Sequence, residues 1–422
     1  MRVLLISANT ETINMPVIPS GLACVAAATS AAGHSVELVD LRPAPEPHRT
    51  VREALEAFRP DVIGVSVRNI DDQNMANPRF LLGPVKEVIT VCRDLSSAPI
   101  VLGGAGYSIF PQSALAHLHA NMGIQGEGEA VFPLLLSRLE QAADLAGIPA
   151  LDLPGQPAQL GRARRHLDLF PLPDVHWWQA EAAQKELWLP LQTRRGCPLD
   201  CSYCSTPAIE GRTLRKRAAL KVAEAVARYA GAGFRRFYFA DNTFNLPPSY
   251  AMSLCRELAS RRLGISWRCI IYPLLPDAEL VSVMAQAGCT EVSLGFESGS
   301  ARMLHNIHKR FSPSDVRRTC AWFADHGIRR TGFLLLGGPG ETMESVEESL
   351  AFADSLALEV LKVTVGVRIY PGTPLAKTAI HEGMILPEED LLFPRFYLAP
   401  GLDRRLFQTV ADWKATRPHW IS

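Results

Sequence analysis

The chain carries no excess of charge of either sign. Its 43 basic side chains match 43 acidic ones, so no overall field draws it to nucleic acid or to an anionic membrane, and any partner has to be read from local sites. It lacks an apolar run of the roughly eighteen residues that a membrane-spanning helix needs. No secretory leader shows either, because Met1 runs straight into a strand-like segment, Arg2 to Ser7. A cytoplasmic protein is the expectation. Cysteine is not scarce, at nine, but Cys24, Cys92, Cys255, Cys269, Cys289 and Cys320 stand singly in apolar segments, as small buried hydrophobes do. That pattern excludes a disulfide framework and suits a reducing compartment. With 422 residues, 47% of them hydrophobic, there is material for two cores.

The other three cysteines are grouped. Cys197, Cys201 and Cys204 form a CxxxCxxC array between Arg194 and Pro207. A structural zinc site draws its fourth ligand from a second Cys or His pair, and no such pair follows. Thiolates at this spacing can wrap one loop around a cubane so that three irons are held and the fourth is left open. Three thiols that are merely buried, or zinc-bound by accident of spacing, are the plainer alternative. Gly196 and Pro198 supply the turn that aims this loop off the end of a strand. Tyr203 stands before the third cysteine, where an aromatic ring can cover a bound adenine. In that combination the motif resembles the radical S-adenosylmethionine (SAM) enzymes.

Residues 1–141 alternate short apolar strands (Val3–Ser7, Val36–Leu41, Val62–Val67, Ile100–Leu102, Met122–Gln125) with helices beginning near Ser20, Val51, Pro78 and Gln112. The alternation predicts a doubly wound, Rossmann-like parallel sheet, whose ligands sit beyond the carboxyl ends of the strands. The loops there are unusual: a long polar Asn9–Pro19 stretch, the polar run from Arg68 to Asn74, the glycine-rich Gly103–Ser108 segment, and Gly126–Glu129. Together they resemble the N-terminal cobalamin-binding domain of one large radical SAM subgroup. The resemblance places Arg68 near the lower face of a corrin with Asn69 and Asp71 beside it. Gly103, Gly104, Gly106, Tyr107 and Ser108 would line its nucleotide tail, with Gly126 and Glu127 closing the set. The AspxHisxxGly signature that supplies a cobalt-ligating histidine is missing, and His34 lies at a helix-to-strand turn, so cobalamin would bind without a protein histidine on cobalt.

Residues 142–186, proline-rich and aperiodic, read as a linker, with a solvated basic run at Arg162–Arg165. Residues 187–375 alternate again: strands at Trp188–Gln192, Arg236–Ala240, Trp267–Ile271, Glu291–Gly295, Ile328–Leu335 and Lys362–Ile369 predict a partial (β/α)6 barrel with its chemistry at the C-terminal mouth. Residues 376–422 form a short aromatic tail packing on the barrel. At the strand ends the family resemblance assigns Tyr203, Asp241, Asn242, Glu297, Ser298, Gly338 and Tyr370 to SAM. Lys309 and Arg310 either meet the methionyl carboxylate or lie on a helix surface. Arg268 and Tyr272, along or just past the third strand, are candidates to face substrate, with a structural ion pair as the other use of Arg268.

The resemblance implies a [4Fe-4S] cluster that cleaves SAM reductively and, with cobalamin, methyl transfer to an unactivated carbon of a small molecule. A flavodoxin- or ferredoxin-type reductant would supply the electron. A cobalamin-independent dehydratase, epimerase or cyclase that keeps the first sheet as a scaffold is the second reading. A corrinoid-binding or sensing module with a regulatory cluster is a third, of another class.

Overall fold

The strands of the first sheet are almost wholly apolar because both their faces are covered, as parallel sheets require. In a computed structural model that describes residues 1–11, 18–42, 44–159, 166–178, 187–274 and 277–421, they are β1 (Arg2–Ser7), β2 (Ser35–Asp40), β3 (Val62–Ser66), β4 (Ile100–Gly103) and β5 (Met122–Ile124). The Arg162–Arg165 run, the middle of the Asn9–Pro19 loop and the last part of the expected linker lie outside the described residues. The strand order is β2-β1-β3-β4-β5-β6, parallel except for β6 (Leu151–Asp152), which pairs antiparallel with β5. Helices α1 (Ser20–Ala31) and α6 (Gly128–Glu140) cover one face, and α2 (Pro47–Phe58), α3 (Leu82–Leu95) and α5 (Pro111–Leu118) the other. Chain direction across the sheet reverses between β1 and β3, so the loops after those strands flank the switch point where doubly wound folds bind ligands.

The expected helices are present, two of them with shifted starts: α2 begins at Pro47 and α3 at Leu82. The glycine-rich segment after β4 is not a plain loop, since α4 (Ala105–Ile109) starts one residue after Gly104. Within the span read as linker, β6 belongs to the first sheet.

The second sheet runs β17-β14-β13-β12-β11-β10-β7, and every pairing in it is parallel. Its strands are β7 (Leu189–Leu191), β10 (Arg236–Phe239), β11 (Ser266–Ile271), β12 (Cys289–Glu297), β13 (Arg329–Leu336), β14 (Val360–Val365) and β17 (Trp420–Ile421). Between β7 and β10, the short strands β8 (Arg194–Arg195) and β9 (Arg215–Lys216) pair antiparallel around α7 (Thr206–Glu210). Alternate residues of β11, β12 and β13 are fully buried under the outer helices while the others face the barrel interior. The helices are α8 (Ala219–Gly231), α9 (Pro248–Arg261), α10 (Ala278–Gln286), α11 (Ala301–Asn306), α12 (Pro313–Asp325) and α13 (Met343–Ser355). Asp277 caps α10, and Ser312 with Asp315 forms a capping box on α12.

The strand expected over Lys362–Ile369 is broken in two. Gly366 takes a φ of 79°, and β15 (Val367–Arg368) swings away to pair antiparallel with β16 (Phe396–Tyr397) in the tail. The tail also contributes α14 (Pro374–His381), α15 (Asp403–Ala415) and the parallel edge strand β17. One apolar core runs without interruption from the α2/α3 side of the first sheet into the barrel, and a smaller one lies beneath α1 and α6.

Candidate active site

The three grouped cysteines sit on the loop that leaves β8, and the chain around them is held from every side. Asp241, just past β10, accepts hydrogen bonds from the Thr193 amide (2.7 Å), the Thr193 hydroxyl (2.6 Å) and the Arg194 amide (3.0 Å), and pairs with the Arg194 guanidinium at 3.1 Å. Arg194 donates onward to the carbonyls of Phe244 and Leu246 and stacks over the rings of Phe244 and Tyr250. Burial pushes the Asp241 carboxyl up, against the pull of Arg194 and Thr193. Gly196 follows with a φ of 84°, and a Cβ there would lie 2.2 Å from the Thr213 carbonyl oxygen, so only glycine makes this turn. Its amide donates to Glu210 Oε2 (2.9 Å), a carboxylate that also accepts from Asn242 and Gln192.

Cys197 is buried, Cys201 and Cys204 are half-buried, and all three are free thiols. Burial raises the pKa of Cys197, as do its two sister cysteines. Cys201 is likewise raised by burial, with Lys309 opposing. Backbone bonds pin the loop between the barrel and the tail: the Ser202 amide donates to the Ile307 carbonyl, and the Leu375 amide to the Ser202 carbonyl.

Beside the loop, Tyr203 donates to Glu297 Oε1 at 3.0 Å, and Lys309 lies 3.5 Å from the same oxygen. The Lys309 ammonium is enclosed by the rings of Tyr203, Tyr272 and Phe311 at 5.5, 5.6 and 5.9 Å. Burial works against its charge, but Tyr203 and Glu297 outweigh that and hold its pKa well up. Glu297 has a φ of 64°, a left-handed conformation in a residue with a side chain, at a register shift of β12. Strain of this kind is kept where the surroundings impose it.

The structure brings together Tyr203 and Glu297, with Lys309 in the place considered for Arg310. Arg310 is instead on the surface, 2.9 Å from Asp200, both more than half or nearly half exposed. Asp241 has no exposure and spends its oxygens on protein groups, which makes it a brace for the strand end rather than a ligand contact. Asn242 is tied to Glu210 and Thr206. Ser298 is turned inward against the Ser349 hydroxyl at 2.8 Å. Gly338 donates to Glu341, a buried carboxyl that the sequence did not mark. Burial pushes its pKa up to about 7. Tyr370 accepts from Gln73 of the first domain. Arg268 projects from the inner face of β11, over Trp188 and Tyr238 and 3.5 Å from Glu291, which is the ion-pair alternative. Tyr272 is buried, and its hydroxyl accepts from the Arg310 amide.

At the carboxyl ends of the first sheet lies a cavity of ≈ 280 Å³. Leu5, Gly64, Val101, Ile124 and Phe132 make its apolar wall. Arg68, Gly103, Gly104, Gly126 and Glu127 line it from the same domain, and Gln192, Arg195 and Glu210 close it from the barrel. Several residues expected here serve other ends. Asp71 is buried in a 2.7 Å pair with Arg368 of β15. Tyr107 is fully buried and donates to Asp152 of β6. Ser108 links the Gly104 carbonyl to the Gly126 amide, Gly106 packs on the Arg68 carbonyl, and Asn69 bonds Asn9 beside a small second pocket. Glu127 pairs with Arg195 and Arg215, and Glu129 with Arg195, so carboxylates of the first domain grip the arginine two residues before Cys197.

Residues 6–136 match the B12 binding domain family, and residues 191–353 the Radical SAM superfamily. Among curated proteins, an uncharacterized methyltransferase of Pyrococcus horikoshii is 25% identical, over 92% of this chain and 84% of its own. The tryptophan 2-C-methyltransferase of Streptomyces laurentii is 25% identical, over 88% and 73%. Among solved structures, the radical SAM methyltransferase TsrM from Kitasatospora setae, with cobalamin and a [4Fe-4S] cluster bound, aligns over 100% of this chain and 92% of its own at a TM-score of 0.86 and 23% identity. That likeness is one of fold.

Proposed function

The chain belongs to the cobalamin-binding radical SAM family, and on that premise we propose that it is a cobalamin-dependent methyltransferase acting on an unactivated carbon of a small molecule. The observation that carries the reading is the junction itself. Carboxylates from the strand ends of the B12-type sheet hold the cysteine loop and the barrel mouth through Glu127, Glu129 and Asp71, so the two cofactor sites share one wall.

The residues present fit the cofactors. Three free thiols share one braced loop. The slot beside β4 is apolar and walled by glycine backbone, as a flat nucleotide base requires, and its lining includes no histidine. When bound, the [4Fe-4S] cluster supplies the electron that cleaves SAM, and cobalamin supplies the methyl group.

The protein's part is to bind and align. Cys197, Cys201 and Cys204 hold the irons. Tyr203, Glu297 and Lys309 present an aromatic face, a carboxylate and an ammonium to the SAM side of the loop. Gly103, Gly104, Gly126 and the Glu127 rim receive the cobalamin tail, and Arg68 takes the position at the end of β3 near the corrin. A reductant of the flavodoxin or ferredoxin class delivers the electron. The methyltransferase names of the two curated relatives support the reaction type.

The test is anaerobic reconstitution with iron, sulfide and hydroxocobalamin. A corrin spectrum should persist after gel filtration, and methyl-labelled SAM should give labelled product. Cys201→Ala should lose both iron and SAM cleavage. Cluster-dependent SAM cleavage by protein that retains no corrin would defeat the cobalamin part of the proposal.

A further inference from the structure

One carboxylate joins the cysteine loop to the first cavity. Helix α7 starts at Thr206, just past Cys204, and ends at Glu210. Its last two residues, Ile209 and Glu210, stand in the cavity wall beside Gln192 and Arg195. A helix of that length rises about 7 Å, so one short element meets the cluster loop at its start and the cavity at its end.

Hydrogen bonds run from one place to the other without a break. Arg195 Nε donates to Gln192 Oε1 at 2.8 Å, which turns the Gln192 amide nitrogen to Glu210, where it donates to Oε1 at 2.6 Å. Glu210 Oε2 accepts from two groups on the loop side. The first is the amide of Gly196, the residue before Cys197, at 2.9 Å. The second is Asn242 Nδ2 at 2.7 Å. The Thr206 hydroxyl donates in turn to Asn242 Oδ1 at 3.4 Å and lies 3.3 Å from Cys204 Sγ. One oxygen of Glu210 thus serves the cavity wall, and the other serves two of the three cysteines.

Resting on the cluster and cobalamin sites assigned above, we infer that Glu210 is a positioning residue that couples them: a ligand in the first cavity and a cluster on the loop each tighten the binding of the other. A ligand seated in the cavity excludes water from Gln192 and Glu210, and hydrogen bonds to a carboxylate strengthen where water is excluded. The gain passes to the Gly196 turn and to the Asn242–Thr206 branch, which hold Cys197 and Cys204 in place. Linkage makes the effect reciprocal, so a cluster that orders the loop also prepares the cavity wall. The radical-generating centre is then assembled best when the methyl carrier is present.

The coupling is read as a ratio: the dissociation constant of hydroxocobalamin for cluster-free full-length protein over that for the reconstituted protein, both by anaerobic equilibrium dialysis. In the wild type the ratio should be about five or more. Glu210→Gln keeps an oxygen for the Gly196 and Asn242 donors but sets its amide nitrogen against that of Gln192, so it should hold iron and bring the ratio to about one. Exchanging the two side chains, Gln192→Glu together with Glu210→Gln, re-forms the bond with donor and acceptor reversed, because a carboxylate in place of Gln192 still accepts from Arg195. The ratio should return in that double variant, a rescue that a merely structural role for Glu210 would not give. Should Glu210→Gln lose its iron, Gln192→Leu cuts the same link with Glu210 left in place and should also abolish the coupling. A wild-type ratio near unity, a ratio that survives both Glu210→Gln and Gln192→Leu, or an exchange variant that holds iron without recovering the ratio would overturn the inference. Wild-type protein that takes up iron but no corrin would overturn the cobalamin reading itself, and the coupling with it.

Discussion

Glu341 shows at the scale of one residue how a buried carboxyl couples this site to pH. Its Oε2 accepts the amides of Gly337 and Gly338 at the end of β13, while Oε1 is buried without a partner among the described residues. Burial dominates and lifts its pKa from 4.5 to about 7. A carboxyl whose folded pKa lies above its unfolded one binds its proton more tightly in the native state. Its contribution is complete below about pH 4.5 and disappears as pH rises through 7. The loss amounts to about 3 kcal/mol at most. Glu341→Gln keeps an acceptor for both amides and cannot ionise. The variant should therefore gain on the wild type in thermal stability between pH 5 and pH 8, and a difference that stays constant across that range would show that the group does not titrate there. Asp241 is the opposite case, a buried charge with its partners in place. Asp241→Ala leaves Arg194 charged in the interior and should cost about 3–5 kcal/mol in denaturant unfolding. An unchanged midpoint would contradict its role as a brace.

At the scale of the element, the CxxxCxxC loop depends on backbone geometry that the motif alone does not display. The β8–β9 pair closes its base, the Cys197 amide donates to the Gly211 carbonyl, and a Cβ on Gly196 would lie 2.2 Å from the Thr213 carbonyl oxygen. Gly196→Ala should therefore lower iron per chain after reconstitution several-fold; full iron content would show that the turn tolerates a side chain. Strands and their ends were legible in the sequence because hydrophobic runs such as Val3–Ile6 and Val62–Val65 are long enough to announce a buried strand. The cysteines were legible through their spacing. What escaped depended on partners distant in the chain. Asp241 and Asp71 looked like ligand contacts because they are polar residues at strand ends, and only the fold reveals Arg194 and Arg368 waiting for them. The break falls at Gly366, where Met75 of the first domain packs so closely that its sulfur would lie 2.2 Å from a Cβ. Lys309 and Arg310 stand as equal candidates in the sequence, because position alone does not say which of two adjacent cations turns inward, and the fold turns Lys309 to Glu297 and Arg310 to Asp200.

The whole molecule behaves as two sheets clamped mouth to mouth, and the clamp is electrostatic at two separated places. On one side Glu127 and Glu129 hold Arg195 and Arg215. On the other Asp71 meets Arg368, both side chains at most 3% exposed, with Gln73 and Tyr370 bonded beside them. Burying these charges is expensive in itself, so the pairs are better understood as fixing one relative placement of the sheets than as net sources of stability. Arg368→Met strands the Asp71 carboxylate in a dry interface and should destabilise by about 3–5 kcal/mol. The double variant Asp71→Leu with Arg368→Met removes both charges and should recover much of that loss, because the two sites act as one unit. If instead the double variant loses as much as the two single variants added together, the pair is not coupled and the second latch carries the junction alone. The functional consequence can be separated from stability at a temperature where all three variants are folded. The double variant should bind corrin and cleave SAM yet transfer the methyl group more slowly, since the Glu127 and Glu129 pairs beside the first cavity are left intact while transfer needs the two sheets held in register.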